Sequence, residues 1–261
     1  MHFLTITLLK SCKFKTCVST ARRAISSLLN VDVAPNTGDP NLLMFSPTWK
    51  ESDEKLRATV LQDMQVYPEF ITEREEIALL NELEPQLRRM RYEFDHWDNA
   101  IQGYRETERT QWTEENSVVL SRVRGLAFGA DGDTLPHVHV LDLAAAGHIK
   151  PHVDAVRFCG DVIAGLCLVS SAVMRLQHSQ RSELVLDALL SRRALYVMKG
   201  VARYDFTHAV LGGDDSQWAG RPLPRQRRVA VICRSRPRRD QDAAPPDQTK
   251  SRYQPDKEAD L

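Results

Sequence analysis

The sequence predicts an α+β fold, with helices in the first half and an antiparallel β core of the sandwich or jelly-roll kind in the second. Three observations predict it. Between residues 55 and 128 apolar side chains recur at helical spacing. From Pro136 the texture changes to short, β-branched apolar runs separated by turns, the pattern of many short strands. Apolar residues make up 42% of the 261 positions, enough to bury one core of about 150–200 residues with extensions.

The elements follow in order. Residues 1–31 contain no Asp or Glu, yet hold Lys10, Lys13, Lys15, Arg22 and Arg23 among many Ser and Thr. A basic, hydroxyl-rich, acid-poor leader has the profile of a mitochondrial transit peptide. A secretory signal would put its charges first, whereas here the apolar stretch between Phe3 and Leu9 precedes the lysines. Residues 32–60 read as a partly disordered linker, because 36–47 is rich in Pro, Asn, Gly and Asp. Leu56, Val60, Leu61 and Met64 predict a short helix over 55–64. Thr72 and Glu75 have capping-box spacing and open a firmer helix with Ile77, Leu80, Leu83 and Leu87 as its stripe. Pro85 is expected to break or restart that helix. Residues 115–128 predict another, with Val119, Leu120, Val123, Leu126 and Ala127 on one face. Strands are predicted at 137–143, 162–169, 173–176, 184–190, 195–198 and 228–233. Residues 61–235 then form the catalytic domain, and the charged, Pro-rich residues 236–261 a disordered tail.

Composition excludes several classes. Lys+Arg and Asp+Glu number 35 each, so no global field draws the chain to nucleic acid. Five cysteines lie scattered without a CxxC pair, which reads as reduced thiols, not a disulfide framework. No apolar run approaches the roughly 20 residues of a membrane span, and no internal repeat is found.

The chemistry concentrates in Ile149-Lys150-Pro151-His152-Val153-Asp154. Residues two apart on an extended chain point the same way, so His152 and Asp154 can offer an imidazole and a carboxylate to one ion. His208 follows Asp154 by 54 residues and completes two histidines and one carboxylate. That is the facial triad of non-heme Fe(II) oxygenases, which leaves coordination positions open for a chelating co-substrate and dioxygen. Arg228 and Arg234 share strand parity on the last predicted strand. A planar guanidinium binds a carboxylate bidentately, so one can grip the distal carboxylate of a dicarboxylate. Six residues of strand span about 20 Å, so the other lies nearer the metal end; the sequence does not say which is which. Tyr196 can add a phenolic hydrogen bond. A lone HxD pair is ordinarily surface or core; the third ligand and the arginines give it weight. His137 and His139 form a rival metal pair that His148 could join, better read as one core and one partly exposed histidine. Asp205 is a supporting partner of the site or a turn residue.

Longer words carry a family likeness. Glu82-Leu83-Glu84-Pro85, the run from Arg91 through Asp98, Arg105-Glu106-Thr107-Glu108, Val138-His139-Val140-Leu141-Asp142-Leu143, Phe158-Cys159-Gly160, Ile163-Ala164-Gly165-Leu166, Ala202-Arg203-Tyr204-Asp205-Phe206 and Val231-Ile232-Cys233-Arg234-Ser235 resemble the AlkB-homologue dioxygenases, and within them the mitochondrial, seventh branch. The resemblance covers about residues 61–235. It implies a double-stranded β-helix (jelly-roll) core, Fe(II), 2-oxoglutarate and dioxygen, and a mitochondrial matrix address. It puts the metal ligands on His152, Asp154 and His208 and the 2-oxoglutarate contacts on Tyr196, Arg228 and Arg234. The family's closing motif Arg-x-Asn-x-Thr-x-Arg here carries Ala230 and Ile232 at its Asn and Thr positions.

The substrate expected is a mitochondrial protein that is hydroxylated, and the resemblance implies roles in fatty-acid metabolism and programmed necrosis. Demethylation of N-methylated RNA or other nucleic acid is the alternative. It would need a basic, aromatic lid, for which Arg88, Arg89, Arg91, Tyr92, Trp97 and Tyr104 are candidates, though acids interleave them. A zinc hydrolase built on the same triad and a non-catalytic interaction protein retaining the fold complete the alternatives.

Overall fold

A computed structural model describes residues 38–237, apart from 97, 98 and 131. The expected transit peptide, linker residues 32–37, Trp97 and the tail beyond 237 lie outside the described residues. The rest of the expected linker is regular structure. A 3-10 turn at Pro40–Leu42 leads into β1 (Leu43–Phe45), and a second at Glu51–Asp53 leads into helix α1 (Glu54–Asp63). The polar, turn-rich composition misled because few apolar anchors suffice. Leu43 pairs across to Ala188, and the Trp49 indole N–H donates to the Val185 carbonyl.

β2 (Met64–Tyr67) and α2 (Glu73–Leu87) follow. Thr72 and Glu75 form the capping box: the Thr72 hydroxyl accepts from the Glu75 N–H and Glu75 accepts from the Thr72 N–H. α2 does not break at Pro85. Proline interrupts a helix by removing one N–H and crowding the previous turn, but here only two residues remain beyond it. Burial of Leu79, Leu83 and Leu87 holds that last turn in place. The buried stripe is Glu76, Leu79, Leu83 and Leu87, and Ile77 is 49% exposed, one position away from the stripe expected.

β3 (Ile101–Arg109) was not anticipated, because Arg105, Glu106, Glu108 and Arg109 hide its alternation. α3 (Glu114–Phe128) matches its expected span and buries Val119, Leu120 and Val123. The remaining strands are β4 (Val138–His152), β5 (Val162–Leu168), β6 (Ala172–His178), β7 (Val185–Leu190), β8 (Leu195–Lys199), β9 (Phe206–Val210), the small hairpin β10–β11 (Gln217–Trp218 and Arg221–Pro222) and β12 (Arg228–Arg234). A five-residue helix, α4 (Gly200–Tyr204), joins β8 to β9.

The strand order is β1-β7-β6-β9-β4-β12-β5-β8-β2, with β3 added beside β4. β4 belongs to both halves of this curled sheet. Its first part pairs with β12 (Leu143 with Arg228, His139 with Ile232), and its end pairs with β9 (Ile149 with Val210, His152 with His208). This is the jelly-roll, double-stranded β-helix arrangement expected. The chain turns from one half to the other near Gly147, where a β-carbon would lie 2.5 Å from the Gly103 carbonyl oxygen; two glycines let the backbones touch.

Period-two alternation sorts each strand into an inner and an outer row. On β12, Ala230 and Ile232 face the interior with Leu141, Leu143, Ile163, Cys167, Tyr196 and Met198. Val229, Val231 and Cys233 face outward, under Leu79, Leu83 and Leu87 of α2 and Val119, Leu120 and Val123 of α3. The helices therefore cover one half of the sheet and leave the interior of the roll for chemistry.

Candidate metal and co-substrate site

β4 delivers His152 at its end, Asp154 follows in the next loop, and β9 brings His208 directly opposite His152. The Nε2 atoms of His152 and His208 lie 3.3 and 3.5 Å from Asp154 Oδ1. Among the described residues these three form a group whose ligand atoms all lie within 4.8 Å of one another. Adjacent donors about 2.1 Å from an octahedral ion sit about 3 Å apart, so the spacing suits three mutually adjacent positions of one ion. The His152 Nδ1 lies 2.9 Å from the Lys150 carbonyl. A carbonyl only accepts, so Nδ1 carries the proton and Nε2 presents its lone pair toward Asp154. Burial alone would raise the Asp154 carboxyl, but the hydrogen bond of His208 and the charge of Arg234 hold it well below the usual carboxylate range. It is an anion ready to bind a cation.

The two arginines divide by position. Arg234 Nε donates to Asp154 Oδ2 at 3.1 Å. With Oδ2 so engaged, Oδ1 is the oxygen left for an ion. Arg234 is thus the arginine at the metal end. Arg228 lies six residues down β12, paired with Leu143. It is only 2% exposed. Its Nη2 reaches only the Cys167 sulfur, at 3.5 Å, and its Nε has no partner. A buried guanidinium without a carboxylate is costly, and its chemistry fits an anionic ligand arriving from outside. Arg225 adds to the positive charge at that end. Its Nε and Nη1 are buried without partners, and burial, with the charge of Arg228, pushes the group down to about 10. Arg227, by contrast, faces away and is tied to Asp142 and Glu84.

Tyr196 lies on the inner row of β8 opposite Gly165, and burial raises its phenol above the usual value. A β-carbon at Gly165 would be 2.4 Å from the Tyr196 ring, so this glycine makes the space the ring occupies. Ala230 and Ile232 form an apolar wall between the two arginines.

Sequence reasoning missed two contributors. Arg203 is fully buried in α4 and donates to the carbonyls of Gly160, Asp154 and Cys159 at 2.7, 3.1 and 2.8 Å. It fixes the loop that carries Asp154. A lone cation in the apolar run Val201-Ala202-Arg203-Tyr204 was the available signal. The second is His139. The rival pair does not form a metal group: His137 faces Glu108 at 3.6 Å, and His139 sits between Glu106 and Arg234. Asp205 closes the α4 turn, its N–H on the Val201 carbonyl. The lid candidates are partly committed elsewhere. Arg88 pairs with Glu84, Tyr92 donates to Asp142, and Tyr104 is buried on β3.

No protein-family profile matches the chain. The mouse protein "Alpha-ketoglutarate-dependent dioxygenase alkB homolog 7, mitochondrial" is 50% identical over 196 residues, 75% of this chain and 89% of the mouse protein. Its counterpart of the same name in Bos taurus is 52% identical over 178 residues, 68% of this chain and 80% of the bovine one. Among solved structures, that of OsALKBH1 overlaps 66% of this chain and 98% of its own at 12% identity, with a TM-score of 0.49. Half-identity across most of both chains is decisive: this chain belongs to the alkB homolog 7 family of mitochondrial alpha-ketoglutarate-dependent dioxygenases.

Proposed function

We propose that His152, Asp154 and His208 hold Fe(II), that Arg228 grips the distal carboxylate of 2-oxoglutarate, and that Arg234 and Tyr196 contact it nearer the metal. The observation that carries this reading is the grouping of His152, Asp154 and His208 beside Arg234, with a buried Arg228 whose Nε is unpartnered at the other end of Arg234's strand. Bound Fe(II), with 2-oxoglutarate and dioxygen, supplies the power to insert one oxygen into a substrate C–H bond while the co-substrate becomes succinate and carbon dioxide. The chain orients the co-substrate between two fixed cations and keeps Asp154 ionised. Ala230 and Ile232, between the two arginines on β12, pack with Leu141 and Met198 in the apolar interior of the roll.

The substrate we infer is a protein, met in the mitochondrial matrix. The exposed residues are mixed: Val153, Arg157 and Phe158 beside the ligands in sequence, and Glu93, Phe94 and Asp95 before β3. A nucleic-acid backbone calls for an uninterrupted basic track, whereas apolar side chains interleaved with both signs of charge suit a peptide. Roles in fatty-acid metabolism and programmed necrosis belong to the same proposal. Among the described residues no helix is long and apolar enough to cross a membrane.

Succinate formation by purified protein with Fe(II), ascorbate and 2-oxoglutarate tests the site. Iron-dependent succinate that disappears in His152→Ala is expected. Normal turnover by that variant, or by Asp154→Ala, would overturn the ligand assignment. Incubation with mitochondrial extract, read by mass spectrometry for peptides gaining one oxygen against RNA losing a methyl, decides the substrate class.

A further inference from the structure

We propose that His139 is a positioning residue for Arg234 and, through it, for Asp154, with its tautomer set by Glu106. The inference rests on the co-substrate reading above, and it uses a chain of contacts across three neighbouring strands. Arg234 Nε donates to Asp154 Oδ2 at 3.1 Å, and Arg234 Nη1 lies 2.9 Å from His139 Nδ1. His139 Nε2 lies 2.8 Å from Glu106 Oε2, and Glu106 Oε1 lies 3.6 Å from His96 Nε2. The strands' register produces the chain: His139 is the partner of Ile232 on β12 and of Glu108 on β3. Arg234 and Glu106 are each two residues from those partners, and so meet His139 diagonally on one face.

The chemistry of the donors leaves one assignment. A guanidinium can only donate, so His139 Nδ1 must hold a lone pair. A neutral imidazole then carries its proton on Nε2, where it meets a carboxylate. That hydrogen bond helps hold Glu106 below the ordinary carboxylate range. His139 is therefore an acceptor aimed at Arg234, oriented from behind in the way a carboxylate orients a metal-binding histidine. Arg234 carries five N–H groups on a mobile stem. Asp154 fixes Nε and His139 fixes Nη1, so the plane of the fork is set before an anion arrives. Both neighbours of Arg234 matter, because Asp154 alone would leave the guanidinium free to swing about that one bond.

Asn and Gln at position 139 separate this role from packing. Asn carries its carbonyl where Nδ1 sits, and Gln carries its amide where Nε2 sits. The measurement is 2-oxoglutarate titrated into full-length, Mn(II)-loaded protein, with KM and kcat for succinate formation alongside. Weakened support of this kind costs about 10- to 100-fold in affinity or activity. His139→Asn is expected to bind 2-oxoglutarate within a few-fold of wild type, and His139→Gln about tenfold or more weaker. The loss should appear in KM for 2-oxoglutarate more than in kcat. Equal binding by the two variants, whether both intact or both impaired, would overturn the proposal. Arg234→Met separates the levels: if it binds like wild type, or if wild type binds no 2-oxoglutarate, the co-substrate reading fails and this proposal with it. If Arg234→Met is impaired and His139→Gln is not, only the positioning role falls.

Discussion

Replacing Arg228 by methionine should move two quantities in opposite directions. Arg228 is 2% exposed, its Nε is unpartnered, and its guanidinium's one polar contact is the Cys167 sulfur at 3.5 Å. In the ligand-free protein this is a buried cation with little compensation. Exchanging buried charges for apolar side chains of similar volume gains up to about 1–4 kcal/mol. For a domain of this size each kcal/mol is worth about 2–4 °C in thermal midpoint. The metal-loaded, ligand-free variant should therefore melt above wild type. Toward 2-oxoglutarate the sign reverses. Removing one member of a buried charge pair costs about 2–5 kcal/mol, roughly 30-fold to several-thousand-fold in affinity. A ligand at a hundred times its dissociation constant stabilises its protein by about 2.7 kcal/mol, and that increment should fall below about 1 kcal/mol. Differential scanning of Mn(II)-loaded wild type and Arg228→Met, with and without 2-oxoglutarate, reads both effects. A variant that melts well below wild type without ligand would mean Arg228 is a structural residue. A variant that keeps the 2-oxoglutarate increment would mean that another cation grips the carboxylate.

Gly165→Ala would place a β-carbon 2.4 Å from the Tyr196 ring. Overpacking of this kind costs about 1–3 kcal/mol, so urea midpoints should fall and the KM for 2-oxoglutarate should rise as the ring shifts. Arg203→Met strips donors from the carbonyls of Asp154, Cys159 and Gly160. Each carbonyl left bare costs about 1–3 kcal/mol, and Mn(II) affinity measured by calorimetry should drop with the loosened loop. His208 is pulled below its ordinary 6.5, first by burial and then by neighbouring His152 and Arg203, against the pull of Asp154. A depressed histidine favours the fold when neutral, and that contribution is full above the unfolded-state value and lost as pH falls below it. Metal-free wild type should thus lose stability in urea as pH drops from 7 to 5, and His208→Asn should show a flatter profile.

The β core was legible wherever apolar alternation survived. β5, β8 and β12 were placed within a residue or so, because both their faces are buried and their apolar runs unbroken. β3 was not legible. Its charges are consumed by partners distant in sequence: Arg105 by buried Asp142, Glu106 by His139, Arg109 by Glu82. Nothing local marks such charges as satisfied, so the strand read like a solvated face. The second half of β4 was hidden by its Ala-Ala-Ala-Gly run, which only the turn between the two halves of the sheet explains. The convergence of His152, Asp154 and His208 was legible because metal chemistry restricts residue type as well as spacing. Which of Arg228 and Arg234 lies beside Asp154 was not legible, since parity puts both inside and only the location of Asp154 tells the ends apart.

The departures at Ala230 and Ile232 acquire a physical meaning from the same geometry. They sit on the inner row of β12 between the two arginines, where the broader family carries amide and hydroxyl groups. An apolar wall there gives a bound dicarboxylate no polar contact along its middle from this strand. In the proposed reading, recognition by β12 comes from its ends, where Arg234 is held by Asp154 and His139, and where Arg228 lies with Arg225 nearby. In the proposed reading, charge placed at two ends of an apolar strand row selects by the separation of two carboxylates more than by what lies between them, because a ligand without the distal carboxylate leaves Arg228 buried and unpaired. A monocarboxylate keto acid should for that reason bind far more weakly than 2-oxoglutarate.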